Sequence, residues 1–230
     1  MKNYQFFSKI YDEFMGTKYQ DFYEEILFKL FKNEPIKNKA ILELGCGTGE
    51  IIKRFSEDNK TFGIDISSEM IRAAQKKDKI TKYMIMDMAD FKLPYSFDVI
   101  FCAFDSINHI SSASGWKKVF QNSKKHLNDN GLFVFDFNTL EKFSSINNKT
   151  LVKNSKNFYT IISTQASRNK CSWDITIFEK EIDNSYKLYK EKIVESSFPV
   201  EGVMEMVKKV FGNAKIIKRS KERVFILAKK

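Results

Sequence analysis

The stretch Ile41-Leu42-Glu43-Leu44-Gly45-Cys46-Gly47-Thr48-Gly49-Glu50 decides how the rest of the chain is read. An apolar run ends in an acid, glycines follow at every second position, and a helix-like pattern begins. Alternate glycines let a chain turn sharply off a strand and bring its backbone close to a ligand. The N–H groups that open the following helix add a partly positive end. Together these features mark a strand–loop–helix nucleotide site.

Outward from this loop, residues 40–44 read as a short apolar strand and residues 49–55 as a helix with Ile51, Ile52 and Phe55 on one face. Residues 61–66 form a second strand containing Asp65, and Ser67 suits the N-cap of the next helix, with Met70, Ile71 and Ala74 as its apolar face. Residues 82–86 and 97–103 are the third and fourth strands. Residues 115–127 are helical, Asn130-Gly131 is the stop, and residues 132–137 are the fifth strand. Apolar strands separated by helices argue for a parallel sheet covered on both faces. Upstream, residues 4–32 carry Tyr4, Phe7, Tyr11 and Phe14, then Tyr19, Phe22, Tyr23, Ile26, Leu27 and Leu30, at helical spacing, with a break at Gly16-Thr17.

Beyond Asn138 the pattern changes. Residues 157–166, 171–180 and 185–195 are extended, Trp173, Ile175 and Ile177 alternate with Asp174, Thr176 and Phe178, and Asn184-Ser185 marks a hairpin turn. This is a small antiparallel insertion. A helix over residues 200–211 ends at Gly212-Asn213, and strands over 215–219 and 223–228 follow.

The 230 residues, 43 % hydrophobic, make one sizeable domain or one domain with an inserted subdomain. Cys46, Cys102 and Cys171 are widely spaced and form no CxxC pair, so neither a disulfide framework nor a metal site is suggested. The first residues lack the apolar core of a signal peptide, and no apolar run approaches the ~18 residues of a membrane helix. A reduced, cytoplasmic protein without a membrane partner is expected. The net charge is +10, and residues 201–230 hold nine Lys/Arg against three Asp/Glu. No arginine cluster or aromatic-interleaved basic stripe accompanies these lysines, so they read as a solvated surface.

The glycine spacing narrows the nucleotide. A dehydrogenase fingerprint is G-x-G-x-x-G, whereas Gly45, Gly47 and Gly49 give G-x-G-x-G. No G-x-x-x-x-G-K-[ST] is present, which excludes a P-loop. Asp65 follows Gly49 by 16 residues at the end of the next strand, where a carboxylate accepts from ribose hydroxyls. An acid beside a loop unsuited to pyrophosphate fits a nucleoside with an amino-acid tail.

The block Glu43-Leu44-Gly45-Cys46-Gly47-Thr48-Gly49 resembles the first motif of class I S-adenosyl-L-methionine (SAM) dependent methyltransferases. Phe62-Gly63-Ile64-Asp65-Ile66-Ser67 with Met70 resembles their second motif, and Met86-Asp87-Met88 their third. Phe97-Asp98-Val99-Ile100 followed by Phe104-Asp105-Ser106-Ile107-Asn108-His109 resembles their fourth strand and its loop. The motifs occur in order and cover residues 1–138. The resemblance implies an α/β fold: a Rossmann-like, seven-stranded, mostly parallel sheet with helices on both faces, here with the antiparallel β insertion. Residues 1–138 would be the SAM-binding core with an N-terminal helical lid, 139–199 the inserted substrate-side segment, and 200–230 the return that completes the core sheet.

The same resemblance implies roles. Gly45, Cys46, Gly47 and Gly49 would lie against the methionyl part and ribose, and Glu43 would help hold the amino group. Asp65 would bind the ribose hydroxyls. Ile66 and Met88 would sandwich adenine, Asp87 would accept from its exocyclic amine, and Met70 and Phe104 would complete the cofactor site, which releases S-adenosyl-L-homocysteine.

Methyl transfer from a sulfonium asks chiefly for alignment and exclusion of water, with a base for the acceptor's proton. Of two histidines, His126 reads as surface in a Lys-rich helix end. His109 follows the fourth strand on the carboxyl edge where open α/β sheets place ligands. Tyr11-Asp12, the segment 104–109 and Phe135-Asp136-Phe137-Asn138 resemble small-molecule methyltransferases that include sugar-amine N-methyltransferases. In that group a tyrosine and a histidine flank the acceptor, which implies Tyr11 and His109 as catalytic residues. Asp105, which stands where the sugar enzymes commonly have serine, and Asn138 are expected to meet the substrate. Aromatic residues of the insertion, Tyr159, Trp173 and Phe178, would roof the pocket.

The function expected is methyl transfer to O or N of a small polar metabolite, in a sugar, surface-glycan or specialised-metabolite pathway. A nucleic-acid methyltransferase is the second reading, disfavoured because the loop after the fourth strand is not [DN]-P-P-[YFW] and Cys102 lacks a Pro-Cys context. A non-catalytic SAM-binding partner protein is the third. Either a monomer or a homodimer is compatible with the sequence.

Overall fold

A computed structural model describes residues 4–15, 23, 25–26, 28–29 and 36–230. Strict alternation along the central strands sets the layers. In β1 (Ala40–Leu44), Leu42 and Leu44 enter one core and Ile41 the other. In β4 (Phe97–Cys102), Ile100 and Cys102 face the first core, Val99 and Phe101 the second. Phe133, Phe135 and Phe137 of β5 (Leu127–Asn138) oppose Val134 in the same way. A strand with two buried faces needs helices on both sides, and it has them. α3 (Ala113–His126) and α5 (Val200–Phe211) cover the first face with Trp116, Val119, Phe120, Val203 and Phe211. α2 (Ser68–Lys77) covers the second with Ile71 and Ala74.

With β2 (Lys60–Asp65), β3 (Lys82–Ile85), β10 (Asn213–Arg219) and β11 (Arg223–Lys229), the sheet order is β10-β11-β5-β4-β1-β2-β3. β1 pairs in parallel with both β2 and β4, and β2–β3 and β4–β5 are also parallel. β11 runs antiparallel between β5 and β10. The chain goes from β1 outward to β3 and then returns to β4 on β1's other side. That reversal opens a crevice at the carboxyl ends of β1 and β4, the usual ligand position of an open α/β sheet.

A second sheet, β6 (Thr150–Asn154), β7 (Phe158–Ser167), β8 (Lys170–Lys180) and β9 (Tyr186–Ser196), is wholly antiparallel. Ile162, Ile175, Ile177 and Ile193 on its inner face pack against Phe7 and Ile10 of the N-terminal segment. Asn184 has φ 64° at the hairpin that joins β8 and β9. The extended segments expected over 157–195 are thus present. α4 (Leu140–Ile146), capped by the Thr139 hydroxyl at 3.1 Å from Lys142 N, and the edge strand β6 were not expected.

Four local expectations are corrected. The N-terminal stretch is no continuous helix: a 3-10 turn over Phe7–Lys9 precedes α1 (Tyr11–Met15). Glu191 of β9 accepts the N–H groups of Gln5, Phe6 and Phe7 at 2.7, 3.3 and 3.0 Å and fixes where the turn begins. The break at Gly16-Thr17 and the positions Tyr19, Phe22, Leu27 and Leu30 lie outside the described residues. The helix expected over 49–55 is a 3-10 turn, Ile52–Phe55, since Gly49 stands at φ 79° and the Glu43 carboxylate takes the Ile52 N–H at 3.1 Å. β5 starts at Leu127, and Asn130 (φ 65°) is a kink within it rather than a stop before it. His126 is buried: its ring lies tilted against Phe91 with centroids 4.5 Å apart, its Nε2 takes the Leu93 N–H at 3.2 Å, and its Nδ1 lies 2.9 Å from Asn122 O. The neighbouring lysines point outward and the imidazole packs inward.

Among the described residues, no helix is long and apolar enough to cross a membrane.

Candidate active site

The loops that follow β1, β2, β3 and β4 meet at one cavity of about 370 Å³. Gly45 and Gly47 form its floor, Asp65, Ile66 and Met70 one wall, Asp87 and Met88 another, and Phe104 and His109 a third. Tyr4 and Tyr11 close it from the N-terminal segment. A smaller cavity of about 50 Å³ continues beneath the glycine loop, lined by Tyr11, Glu43, Gly45, Cys46, Gly47 and Thr48 among others.

Backbone geometry explains the glycines. Gly45 has φ 65°, and a Cβ there would lie 2.7 Å from Ser106 Cβ. Gly47 has φ 51°, and a Cβ there would meet nothing within 4 Å, because the residue borders both cavities. The loop is a cradle whose middle glycine leaves space for a ligand. Cys46 N–H donates to Ile64 O at 3.0 Å, which ties the cradle to β2.

Asp65 is the electrostatic centre of this half. Its Oδ2 takes the Gly47 N–H at 2.9 Å and its Oδ1 the Ser67 N–H at 2.8 Å. Burial raises its pKa, and the backbone donors oppose that shift. Ser67 caps α2, its Oγ accepting from Met70 N at 3.3 Å, so capping is done without Asp65. Ile66 is 69 % exposed and lines the cavity. Glu43 is buried, its pKa pushed well up by burial and held down only by the Ile52 N–H.

The other half is aromatic. The Tyr4 hydroxyl lies 3.0 Å from His109 Nε2, with the rings edge to face at 5.5 Å. Nδ1 of His109 is buried without a hydrogen-bond partner among the described residues. Burial lowers the His109 pKa, with a small opposing effect from Asp105, so the imidazole is neutral at neutral pH. Burial raises the phenol pKa values of Tyr4 and Tyr11, and both remain protonated. The N-terminal segment carrying these tyrosines is tied to the glycine loop and α2: Asp12 accepts from Thr48 Oγ1 at 2.5 Å and pairs with Lys77.

Most residues expected at the site are brought together here: Tyr11, Gly45, Gly47, Asp65, Ile66, Met70, Asp87, Met88, Phe104 and His109 at the main cavity, Glu43 and Cys46 at the smaller. Gly49 lies against Tyr83. Asp105 and Asn138, expected to meet substrate, do not line the cavity. Arg223 draws both away: it pairs with Asp105 and donates to Asn138 Oδ1 at 3.1 Å. Tyr4, Ser106 and Glu69 line the cavity without having been expected there. Tyr4 lies 105 residues from its partner His109, so no local signal pairs them.

A family model described as a methyltransferase domain matches residues 41–131. YqeM of Bacillus subtilis (strain 168) is 28 % identical over 215 residues, 89 % of this chain and 84 % of that protein. An uncharacterized protein of Methanocaldococcus jannaschii is 30 % identical over 204 residues, covering 86 % of this chain and 74 % of its own. The dTDP-3-amino-3,6-dideoxy-alpha-D-glucopyranose N,N-dimethyltransferase of Streptomyces fradiae is 24 % identical over 132 residues, 56 % of this chain and 52 % of that enzyme. Among solved structures, a SAM-dependent methyltransferase from Clostridium acetobutylicum superposes with a TM-score of 0.84 at 24 % identity, covering 98 % of each chain. SAM-bound CalS10, an amino pentose methyltransferase from Micromonospora echinaspora, gives 0.78 at 14 % identity over 99 % of this chain and 98 % of its own. Ordered motifs, sheet order and glycine cradle agree with these matches: the chain belongs to the class I SAM-dependent methyltransferases.

Proposed function

We propose that this methyltransferase acts on a small polar acceptor at nitrogen or oxygen, with an amino sugar as the favoured class and His109 as general base. The observation that carries this reading is the neutral His109 imidazole on the cavity wall, one nitrogen beside Tyr4 and the other unpartnered among the described residues. A cavity of about 370 Å³ is of the size that takes small molecules. The Streptomyces fradiae relative is named for a dTDP-amino sugar, and CalS10 for an amino pentose, which supports an amine acceptor.

In this reading Asp65 receives the ribose hydroxyls, Ile66, Met70 and Met88 take the adenine faces, and Asp87 accepts from the exocyclic amine. The smaller cavity, with Glu43, Gly45, Cys46 and Gly47, takes the methionyl tail, and Gly49 and Phe104 shape its rim. SAM supplies an electrophilic methyl on a sulfonium. An acceptor ammonium is unreactive until it loses a proton, and in this reading the neutral His109 imidazole takes it. The N–C bond then forms as the S–C bond breaks, and sulfur keeps the electron pair. Tyr11 closes the pocket and, with Tyr4, excludes water. The segment 139–199, Tyr159, Trp173 and Phe178 included, does not line the cavity; it backs the N-terminal segment that carries Tyr4 and Tyr11, and so supports the acceptor side from behind.

The test is a screen with methyl-labelled SAM against nucleotide-linked amino sugars, their hydroxyl counterparts, simple amines and tRNA. Label transferred to an amino sugar and lost in His109→Ala supports the proposal. Transfer to tRNA alone, or to any acceptor at an undiminished rate in His109→Ala, overturns it.

A further inference from the structure

Five polar side chains from four parts of the chain meet behind the cavity: Asp105 after β4, Asp136 and Asn138 at the end of β5, Glu195 on β9, and Arg223 at the start of β11. Arg223 donates from Nη1 to Asp136 Oδ2 at 2.8 Å and from Nη2 to Asn138 Oδ1 at 3.1 Å, and it pairs with Asp105. Asn138 Nδ2 donates to Glu195 at 3.2 Å. One cation thus faces three carboxylates. Burial pushes Asp136 up to about 6 and raises Glu195 as well. A buried ion cluster is a poor way to stabilise a fold, since desolvation consumes most of the attraction. Its geometry shows what else it holds.

The cluster grips one turn. Phe104 and Asp105 stand at φ 57° and 51°, two successive non-glycine residues in the left-handed region. A non-glycine residue is disfavoured there and persists only where surroundings hold it. Arg223 holds the Asp105 side chain, and Asp136 Oδ2 takes the Asp105 N–H at 3.1 Å. The Tyr23 hydroxyl takes the Phe104 N–H at 3.1 Å. This reversal carries the Phe104 ring onto the cavity and starts the 3-10 turn Ser106–His109. That turn sets Ser106 Oγ 3.1 Å from Gly45 O and brings His109 to Tyr4.

We infer that Arg223 is a positioning residue: through Asp105 and Asp136 it holds the left-handed turn that sets Phe104 and His109 on the cavity, without lining the cavity itself. Arg223 is 118 residues from Asp105 in sequence, so the C-terminal strand governs the loop after β4 across the sheet.

The chain has two histidines, so their ring proton resonances are separately assignable. In Arg223→Lys an ammonium replaces the two-pronged guanidinium and cannot grip both carboxylates in the same way. The His109 titration midpoint is expected to move up toward that of a free imidazole as the turn relaxes and burial is lost, and the nuclear Overhauser effect between the Tyr4 and His109 rings is expected to weaken. Glycine adopts positive φ without strain, so Arg223→Lys with Asp105→Gly is expected to restore the edge-to-face contact of His109 with Tyr4, read as the nuclear Overhauser effect between the two rings. A role in stability alone would lower Tm and leave His109 where it was. Should Arg223→Lys fail to fold, Asp105→Ala cuts the same link while keeping the Arg223–Asp136 pair; loss of the Asp105 charge by itself lowers the His109 midpoint, so the readout there is the Tyr4–His109 ring contact, whose nuclear Overhauser effect is expected to be lost. An unmoved His109 midpoint in a cooperatively melting Arg223→Lys protein, a retained Tyr4–His109 contact in a cooperatively melting Asp105→Ala protein, or no recovery of that contact in the double variant, overturns the inference.

Discussion

Asp65→Ala separates a cofactor-binding carboxylate from one that only orders its own loop. A carboxylate has about four acceptor positions. In this protein Gly47 N–H donates to Oδ2 and Ser67 N–H to Oδ1, with the Ile66 N–H also favouring the charged form, and the residue lines the cavity. The acceptor capacity that remains on this rigid carboxylate is what two adjacent ribose hydroxyls would use. Hydrogen bonds to a charged group are each worth about 1.5–3 kcal/mol, so deletion is expected to remove roughly 3–6 kcal/mol of cofactor affinity. That corresponds to a Kd weakened by about 10²–10⁴-fold. The loop itself loses less, about 1–3 kcal/mol, because water from the cavity reaches the two bared N–H groups. Asp65→Asn is expected to fail almost as badly, since its NH2 must face one of those N–H donors. Calorimetric titration with S-adenosylhomocysteine, alongside thermal melts, reads both effects. Affinity within about 3-fold of wild type, in a variant that melts normally, would refute the assignment and leave Asp65 as a loop brace. Acid provides a second reading: burial raises the Asp65 pKa, so affinity falls on acidification earlier than it would for an exposed aspartate.

His109→Ala is expected to cut turnover by about 10²–10⁴-fold with S-adenosylhomocysteine affinity unchanged, measured by label transfer and calorimetry; a pH-independent, near-normal rate would remove it as base. Glu195 has its folded pKa raised by burial, so the folded state keeps a proton that the unfolded chain has already lost. Stability therefore falls as pH rises from the unfolded value near 4.5 through the raised folded value, and Glu195→Gln is expected to flatten that fall in thermal melts; parallel curves would contradict it. Asp12→Ala removes the tie to Thr48 and Lys77. Both charged partners are partly exposed, so the effect is about 2–5-fold faster release of S-adenosylhomocysteine by stopped flow, and an unchanged rate would show that the N-terminal segment is held elsewhere.

The glycine-loop side of the cavity was legible because its determinants are local. Gly45 and Gly47 are contiguous with β1, Asp65 ends β2, and Met88 follows β3 closely, so spacing along the chain translates directly into place on the sheet edge. The alternating Trp173, Ile175 and Ile177 likewise announced β8. The failures share another cause. Asp105 and Asn138 look like cavity residues by position, yet the guanidinium that turns them aside comes from 118 and 85 residues away. His126 looks exposed among lysines, yet Phe91 and Leu93 supply a buried seat for its ring. The helix after the glycine loop fits by periodicity, but a single carboxylate, Glu43, captures the Ile52 N–H and delays it. A partner distant in sequence leaves no period to read.

The two halves are consequently held by different physics. In the glycine-loop half, the contacts that set the geometry run largely through backbone: Cys46 N–H to Ile64 O, Gly47 N–H and Ser67 N–H to Asp65. Such contacts survive any substitution that keeps the glycines and the acid. In the other half, side chains from four segments carry the geometry: Tyr4 on His109, Glu191 on residues 5–7, Arg223 on Asp105, and Asn108 Nδ2 on Asn138 O and Ser196 O at 3.1 and 2.9 Å. A substitution at any of these moves the cavity wall while leaving the cradle intact. An architecture built this way keeps its methyl donor fixed while its acceptor changes, and substitutions at Tyr4, Glu191 or Arg223 are expected to shift acceptor KM and kcat before they alter the affinity for S-adenosylhomocysteine.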